Sequence, residues 1–298
     1  RRVPSTEQLE RLYPGGLEAF LAAWQQWIDR TGANQRYKVP WQGSGLCRFA
    51  LHGCVLPPAV EATVNRQVQA LLDRHRAVLG TERAPDQPLR FRLFGEFQDY
   101  VRFTTNWMVS GWEVSPTRLA GTDGYANPLS EEIVTWNPKS PDELTRQLLR
   151  LAHDARLQEA FPTAPRWARI GSLHALALSQ DVARNGQLSL AAAWQQARMA
   201  PATLPSWRAL LNDTAPRPAH GLIGGLTPSE IGCWAVFEFL ASSEANRQIL
   251  QALLKPSASL ANARPADAAR LERLYPGGAA RFEADFKQWL GRQGVAGF

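Results

Sequence analysis

Five histidines, three cysteines and the carboxylates beside them are the residues of this chain best suited to chemistry. His153 and Asp154 are adjacent in a stretch with helical spacing. His174 lies four residues after Ile170, on the same face of a second expected helix. Two imidazoles and a carboxylate can hold a divalent metal or move a proton, so His153, Asp154 and His174 make one candidate displaced metal site. Read as ordinary residues, His174 is a helix-face histidine and His153 a half-buried one near a helix middle. His52, His75 and His220 have no partner at a ligating spacing. Cys47, Cys54 and Cys233 contain no C-x-x-C pair, which leaves a zinc ribbon or a thioredoxin-like redox pair unsupported. A strand and a turn between Cys47 and Cys54 would let them bridge; two buried free thiols fit the text as well. No G-x-S-x-G elbow is present. Gly221-Leu222-Ile223-Gly224-Gly225 follows no clear strand and lacks a Lys-Ser/Thr ending, so it reads as a loop rather than a phosphate cradle.

The elements that must position these residues belong to an ordinary globular chain. It has 298 residues, 45% hydrophobic and 20% charged, enough for one large or two modest domains. No apolar run approaches the roughly 18 residues of a membrane helix. No signal peptide is visible at Arg1, although a mature chain would have lost one. The net charge of +6 is almost wholly Arg, since the lysines are only Lys38, Lys139, Lys255 and Lys287. The Arg residues are interspersed with acids, as at Glu10-Arg11 and Arg270 to Arg273, rather than gathered into a stripe. That dispersal argues against nucleic acid as a partner. Arg90 and Arg92 alternate with apolar residues over 89–94, which predicts a strand with one wet face.

Strands or strand pairs are expected within 41–56, over 89–94 and over 132–136. A helix opens at Pro57-Pro58 with Val60, Val64, Val68 and Leu71 on one face and runs to about Gly80. Another is expected over 96–103, 107–119 reads as irregular, and 124–128 as a turn. Ser140 is the expected N-cap of a long helix, and Thr227-Pro228-Ser229-Glu230 reads as a capping box. Helices are expected over 144–161, 166–178, 190–198, 207–211 and 228–240. Trp167, Trp194, Trp234 and Trp289 fall on helix faces and are expected in the core, while Trp107, Trp112 and Trp136 fall near the irregular segment and the last strand. The fold class is α+β, a small mixed sheet followed by a mainly helical half. The ends repeat each other. Leu9-Glu10-Arg11-Leu12-Tyr13-Pro14-Gly15-Gly16 recurs at 271–278, and Phe20, Trp24 and Trp27 match Phe282, Phe286 and Trp289 in register. The expected organisation is a helical hairpin over 1–40, a sheet subdomain over 41–140, a helical subdomain over 141–262 and a second hairpin over 263–298.

The order of elements and three short patterns resemble the gluzincin, peptidase-MA-like bacterial domains. Gly124-Tyr125 followed by Glu132-Ile133-Val134 is similar to the turn and edge strand beside their substrate cleft. Pro165-Arg166-Trp167-Ala168-Arg169-Ile170-Gly171 resembles the P-x-W-x-x-E-G opening of their second helix, and 232–240 a later helix. In that family the two His of H-E-x-x-H and the second helix's Glu bind zinc, and the first Glu is the general base. Here Ile170 stands at the zinc-binding Glu. His153-Asp154-Ala155-Arg156-Leu157 keeps the first His, shortens the base and has Leu157 at the second His. A longer-loop alignment puts 147–151, Gln-Leu-Leu-Arg-Leu, at the motif and keeps nothing. The resemblance thus implies a pseudo-peptidase without metal or other cofactor, with Tyr125, His153, Asp154, Leu157, Trp167, Ile170 and His174 around the former cleft. It implies a protein or peptide partner bound there or at the terminal helices, with homo-oligomerisation through the hairpins as one form of this. An active hydrolase using His153, Asp154 and His174 is the competing expectation. The expected setting is periplasmic or secreted, with a cytoplasmic one left open.

Overall fold

A computed structural model describes residues 6, 10–11, 13–30, 37–81, 87–107, 123–127, 131–178, 190–196, 205–212, 227–255 and 267–295. Trp112, His220, the 221–225 loop and the irregular segment past Trp107 lie outside them. The chain is mixed α/β and mostly helical, with a small four-stranded sheet. In order, the elements are α1 (Gly16–Arg30), β1 (Cys47–His52), α2 (Pro58–Arg74), β2 (Leu89–Phe94), α3 (Phe97–Trp107), β3 (Gly124–Asn127), β4 (Glu132–Trp136), α4 (Pro141–Ala160), α5 (Arg166–Ser172), α6 (Leu190–Gln196), α7 (Trp207–Asn212), α8 (Pro228–Ala241), α9 (Glu244–Leu254), α10 (Asp267–Leu274) and α11 (Gly278–Arg292). Two π-helical turns, His75–Leu79 and Leu173–Leu178, extend α2 and α5.

The sheet runs β1-β2-β4-β3, with β1, β2 and β4 parallel and β3 antiparallel to β4. Strand periodicity divides its side chains between two faces. Phe49, Phe91, Leu93 and Ile133 join the larger core beneath α2 and α4. Phe94 and Val134 face a smaller core made with Tyr37, Tyr100 and Phe103, where α3 packs. Residues 124–127 do not form the expected turn, and Pro128 lies outside the described residues. Gly124–Asn127 is a strand in register with β4, Tyr125 opposite Val134, so β3 rather than the 132–136 strand is the sheet edge. Gly124 permits this pairing, because a Cβ there would collide with the Val134 carbonyl oxygen and crowd Leu151. The expected one-sided wetting of β2 also fails at Arg92, which is buried.

The helical half is organised around α8, which is apolar on every side and therefore enclosed. Its start is fixed by the capping box read from the sequence. The Thr227 hydroxyl accepts from Glu230 N at 3.3 Å, and Thr227 N donates to Glu230 Oε2 at 2.8 Å. Ser140 caps α4 in the same manner, accepting from Glu143 N at 3.4 Å. α8 packs on α5, α7, α9 and α11. The closest approach is at Gly171, where an added Cβ would lie 2.5 Å from both Cys233 O and Phe237 Cβ. Trp167, Trp194, Trp234 and Trp289 are buried, as their helix-face positions imply. Trp136 is half-buried and meets Phe97 edge-on at 5.3 Å.

Candidate functional site

α4 and α5 carry most of the residues singled out by the sequence, and they place them inside the larger core rather than along an open wall. His153, Leu157, Trp167, Ile170 and His174 are all buried, while Asp154 is half-buried. His153 is joined to two residues that sequence spacing did not connect with it. His75 Nε2 lies 2.9 Å from His153 Nδ1, and His153 Nε2 lies 3.0 Å from Ser172 Oγ. The Ser172 hydroxyl donates to Arg169 O at 3.3 Å. With the serine proton on that carbonyl, Ser172 Oγ accepts from His153 Nε2–H and His153 Nδ1 accepts from His75 Nε2–H. Nucleophile activation needs the opposite direction, hydroxyl to imidazole. The three groups, each 2% exposed or less, form a buried hydrogen-bonded chain.

His174 takes no part in it. Its ring stacks against Trp234, with centroids 5.7 Å apart and planes at 28°. Among the described residues no three His, Cys, Asp or Glu side chains converge in a way that would hold a metal ion, so His153, Asp154 and His174 are not assembled as a ligand set. The positions implied by the family do not fit zinc either. In the first alignment His153 is committed to His75 and Ser172, and Leu157 and Ile170 are alkyl groups of the core. In the second, the Gln147 amide nitrogen is held by Asp123 O at 2.8 Å, Trp136 O at 2.8 Å and Thr135 Oγ1 at 2.5 Å, and Leu151 is buried. Neither set supplies the three donors and open position of a catalytic zinc. No family model and no curated protein matches this chain.

The other face of the sheet holds a polar cluster that strand alternation concealed. Arg92 on β2 grips Glu132 on β4 with two bonds, Nε to Oε2 at 2.8 Å and Nη2 to Oε1 at 3.1 Å. Its Nη1 reaches Tyr37 O and His52 Nε2, both at 2.8 Å. A guanidinium only donates, so His52 Nε2 is the acceptor and is unprotonated. Burial, then the Arg92 charge, pulls His52 down to about 4. Arg90 joins through Glu132 at 3.4 Å and lies over the Trp41 ring at 4.5 Å. Tyr125, from β3, stands beside this layer. Burial pushes its phenol up, while the nearby Thr104 hydroxyl pulls the other way without making a bond of ordinary geometry to it. Among the described residues no strand pairs with the outer edge of β3.

The cysteines are free thiols. Cys47 opens β1 and Cys54 follows its end. An extended strand at about 3.3 Å per residue holds the two roughly 20 Å apart, well beyond bridging distance. Burial pushes the Cys47 thiol up to about 12. A cleft of about 240 Å³ opens away from the histidines, between α7, α8 and α11, where Pro205, Trp207, Gly232, Glu283, Phe286 and Lys287 contribute to its walls.

Some of this was readable in the sequence. His75 continues the stripe of Val60, Val64, Val68 and Leu71 at helical spacing, so a polar side chain at a core position was the signal that it needed a buried partner. Glu132 gave no such sign, because its role depends on β2 and β4 being neighbours.

Proposed function

We propose that this protein is a catalytically silent relative of the gluzincin peptidases that works by binding a protein or peptide. The reading is carried by one observation: the two helices that would bring zinc ligands together are joined instead by a buried His75–His153–Ser172 chain, with Leu157 and Ile170 packed in the same core. The element order supports the scaffold. A small sheet followed directly by the long helix carrying His153 is the order the resemblance implies, although the edge strand is the one bearing Tyr125 and not 132–136. The edge of β3 offers main-chain groups to an extended peptide, the usual means by which a sheet edge recruits a partner.

Metal analysis of the purified chain, joined to a screen against peptide and ester substrates, tests the reading. The expected result is zinc far below one equivalent and no turnover. One zinc per chain that disappears in His153→Ala, with hydrolysis lost alongside it, would replace the binding protein with an enzyme.

A further inference from the structure

The two terminal hairpins are near-copies, and the protein buries them to different extents. Residues 9–30 and 271–292 align without a gap and are identical at 13 of 22 positions. Their turns share one geometry. Gly16 N donates to Tyr13 O at 2.8 Å, and Gly278 N donates to Tyr275 O at 2.9 Å. Tyr13 meets Phe20 edge-on at 5.3 Å, as Tyr275 meets Phe282 at 5.2 Å. Gly15 and Gly277 sit at φ 87° and 84°, in the left-handed region that glycine favours.

The C-terminal copy rests on an aromatic seat. Phe282 packs on Trp207 at 4.9 Å and on Phe239 at 5.5 Å, and Phe286 and Trp289 pack on Phe239 at 5.4 and 5.8 Å. Phe282, Phe286, Trp289 and Leu290 are all buried there. The N-terminal copy carries Phe20, Trp24, Trp27 and Ile28 at the same four places. Yet Phe20 and Trp24 are only half-buried, and the neighbouring Leu21 is 41% exposed.

The seat meets different side chains in the two copies. Three residues of α11 line the 240 Å³ cleft beside it: Glu283, Phe286 and Lys287. Their counterparts are Leu21, Trp24 and Gln25, which exchange the Glu283–Lys287 ion pair of 3.1 Å for two uncharged side chains and the Phe286 ring for a larger indole. The anchoring charge is retained. Arg208 Nε bonds Glu272 Oε1 at 2.8 Å, and Glu10 is the counterpart of Glu272, at present capping its own helix at Leu17 N, 2.7 Å away. The C-terminal copy also has an internal clasp, with Tyr275 OH and Arg281 Nε both on Asp285, at 3.1 and 2.9 Å. Ala19 and Ala23 replace Arg281 and Asp285 in the N-terminal copy, so it lacks the clasp.

We propose that the N-terminal hairpin of a second copy of this chain takes the Trp207–Phe239 seat in place of the resident C-terminal hairpin, so that chains associate by exchange. A second copy is the occupant because the C-terminal hairpin already fills the seat within its own chain, and exchange between chains is what an inter-chain crosslink distinguishes.

The test places photoreactive benzoylphenylalanine at position 20 of the full chain, a half-buried helix site where folding is not at stake. Irradiation is followed by peptide mapping, with light scattering across a concentration series. The expected result is a concentration-dependent dimer or higher form, crosslinked between chains to peptides containing Trp207 or Phe239. Phe20→Ala combined with Trp24→Ala is expected to weaken association by at least about tenfold, the effect of losing a buried aromatic anchor. A monomer throughout, a crosslink confined to one chain, or a dimer crosslinked elsewhere would each overturn the proposal.

Discussion

Replacing His75 with glutamine tests the buried hydrogen-bond chain through its response to acid. Burial first, then His153, Arg156 and Arg74, hold the His75 imidazole well below its ordinary value of 6.5. The folded protein keeps it neutral, while the unfolded chain takes up a proton there once the pH falls below about 6.5. The stability His75 contributes is thus fully present above that pH and is lost as the pH falls towards its depressed folded value. Each pH unit in the window removes about 1.4 kcal/mol, so the step from about 6.5 to about 5 removes about 2 kcal/mol. His52, lowered to about 4 and only half-buried, adds a smaller loss of the same sign. The assay is urea unfolding of the parent and His75→Gln between about pH 5 and about pH 8. The variant starts about 1–2 kcal/mol less stable near neutrality, because its amide replaces a well-formed bond to His153. Its further loss down to about pH 5 is smaller than the parent's by about 2 kcal/mol. Parallel curves for the two proteins would refute a buried, neutral His75.

Two further substitutions probe the sheet and the helical half. Glu132→Ala leaves the buried Arg92 guanidinium without its two-bonded carboxylate, and the expected loss in urea unfolding is about 3–5 kcal/mol, with Glu132→Gln falling between it and the parent. Gly171→Ala drives a methyl against Cys233 O and Phe237 Cβ and must separate α5 from α8, with an expected loss of about 1–3 kcal/mol and a lowered thermal midpoint by circular dichroism.

Local physics made much of the fold legible. The Thr227–Glu230 capping box and the Ser140 cap are written within four residues each, and both form as read. The valine stripe of α2 and the apolar text of α8 report burial through helical period alone. What the text concealed was set by contacts between distant segments. Arg92 reads as wet by alternation, yet its face of the sheet is covered by α3 and Tyr37. Gly124 reads as a turn residue until Val134 is placed opposite its neighbour Tyr125. At the candidate site, His153 and Ile170 were chosen for the positions they occupy, while the partners His75 and Ser172 stand 78 and 19 residues away from His153. No spacing rule links such residues before the helices are packed.

The duplicated hairpin also gives the chain a sequence of events in time. A ribosome makes the N-terminal copy first, then β1 to α6, then the α7 and α8 residues that form the aromatic seat. When Phe239 has been made, α10 and α11 do not yet exist, and Phe20 and Trp24 belong to the only finished copy of the motif in that chain. For the seconds needed to add the remaining residues at roughly 5–20 per second, the seat has no resident hairpin of its own. Under the proposed exchange, the order of synthesis itself opens an interval on a message carrying several ribosomes, in which hairpins of neighbouring nascent chains compete for the seat before each chain closes on itself.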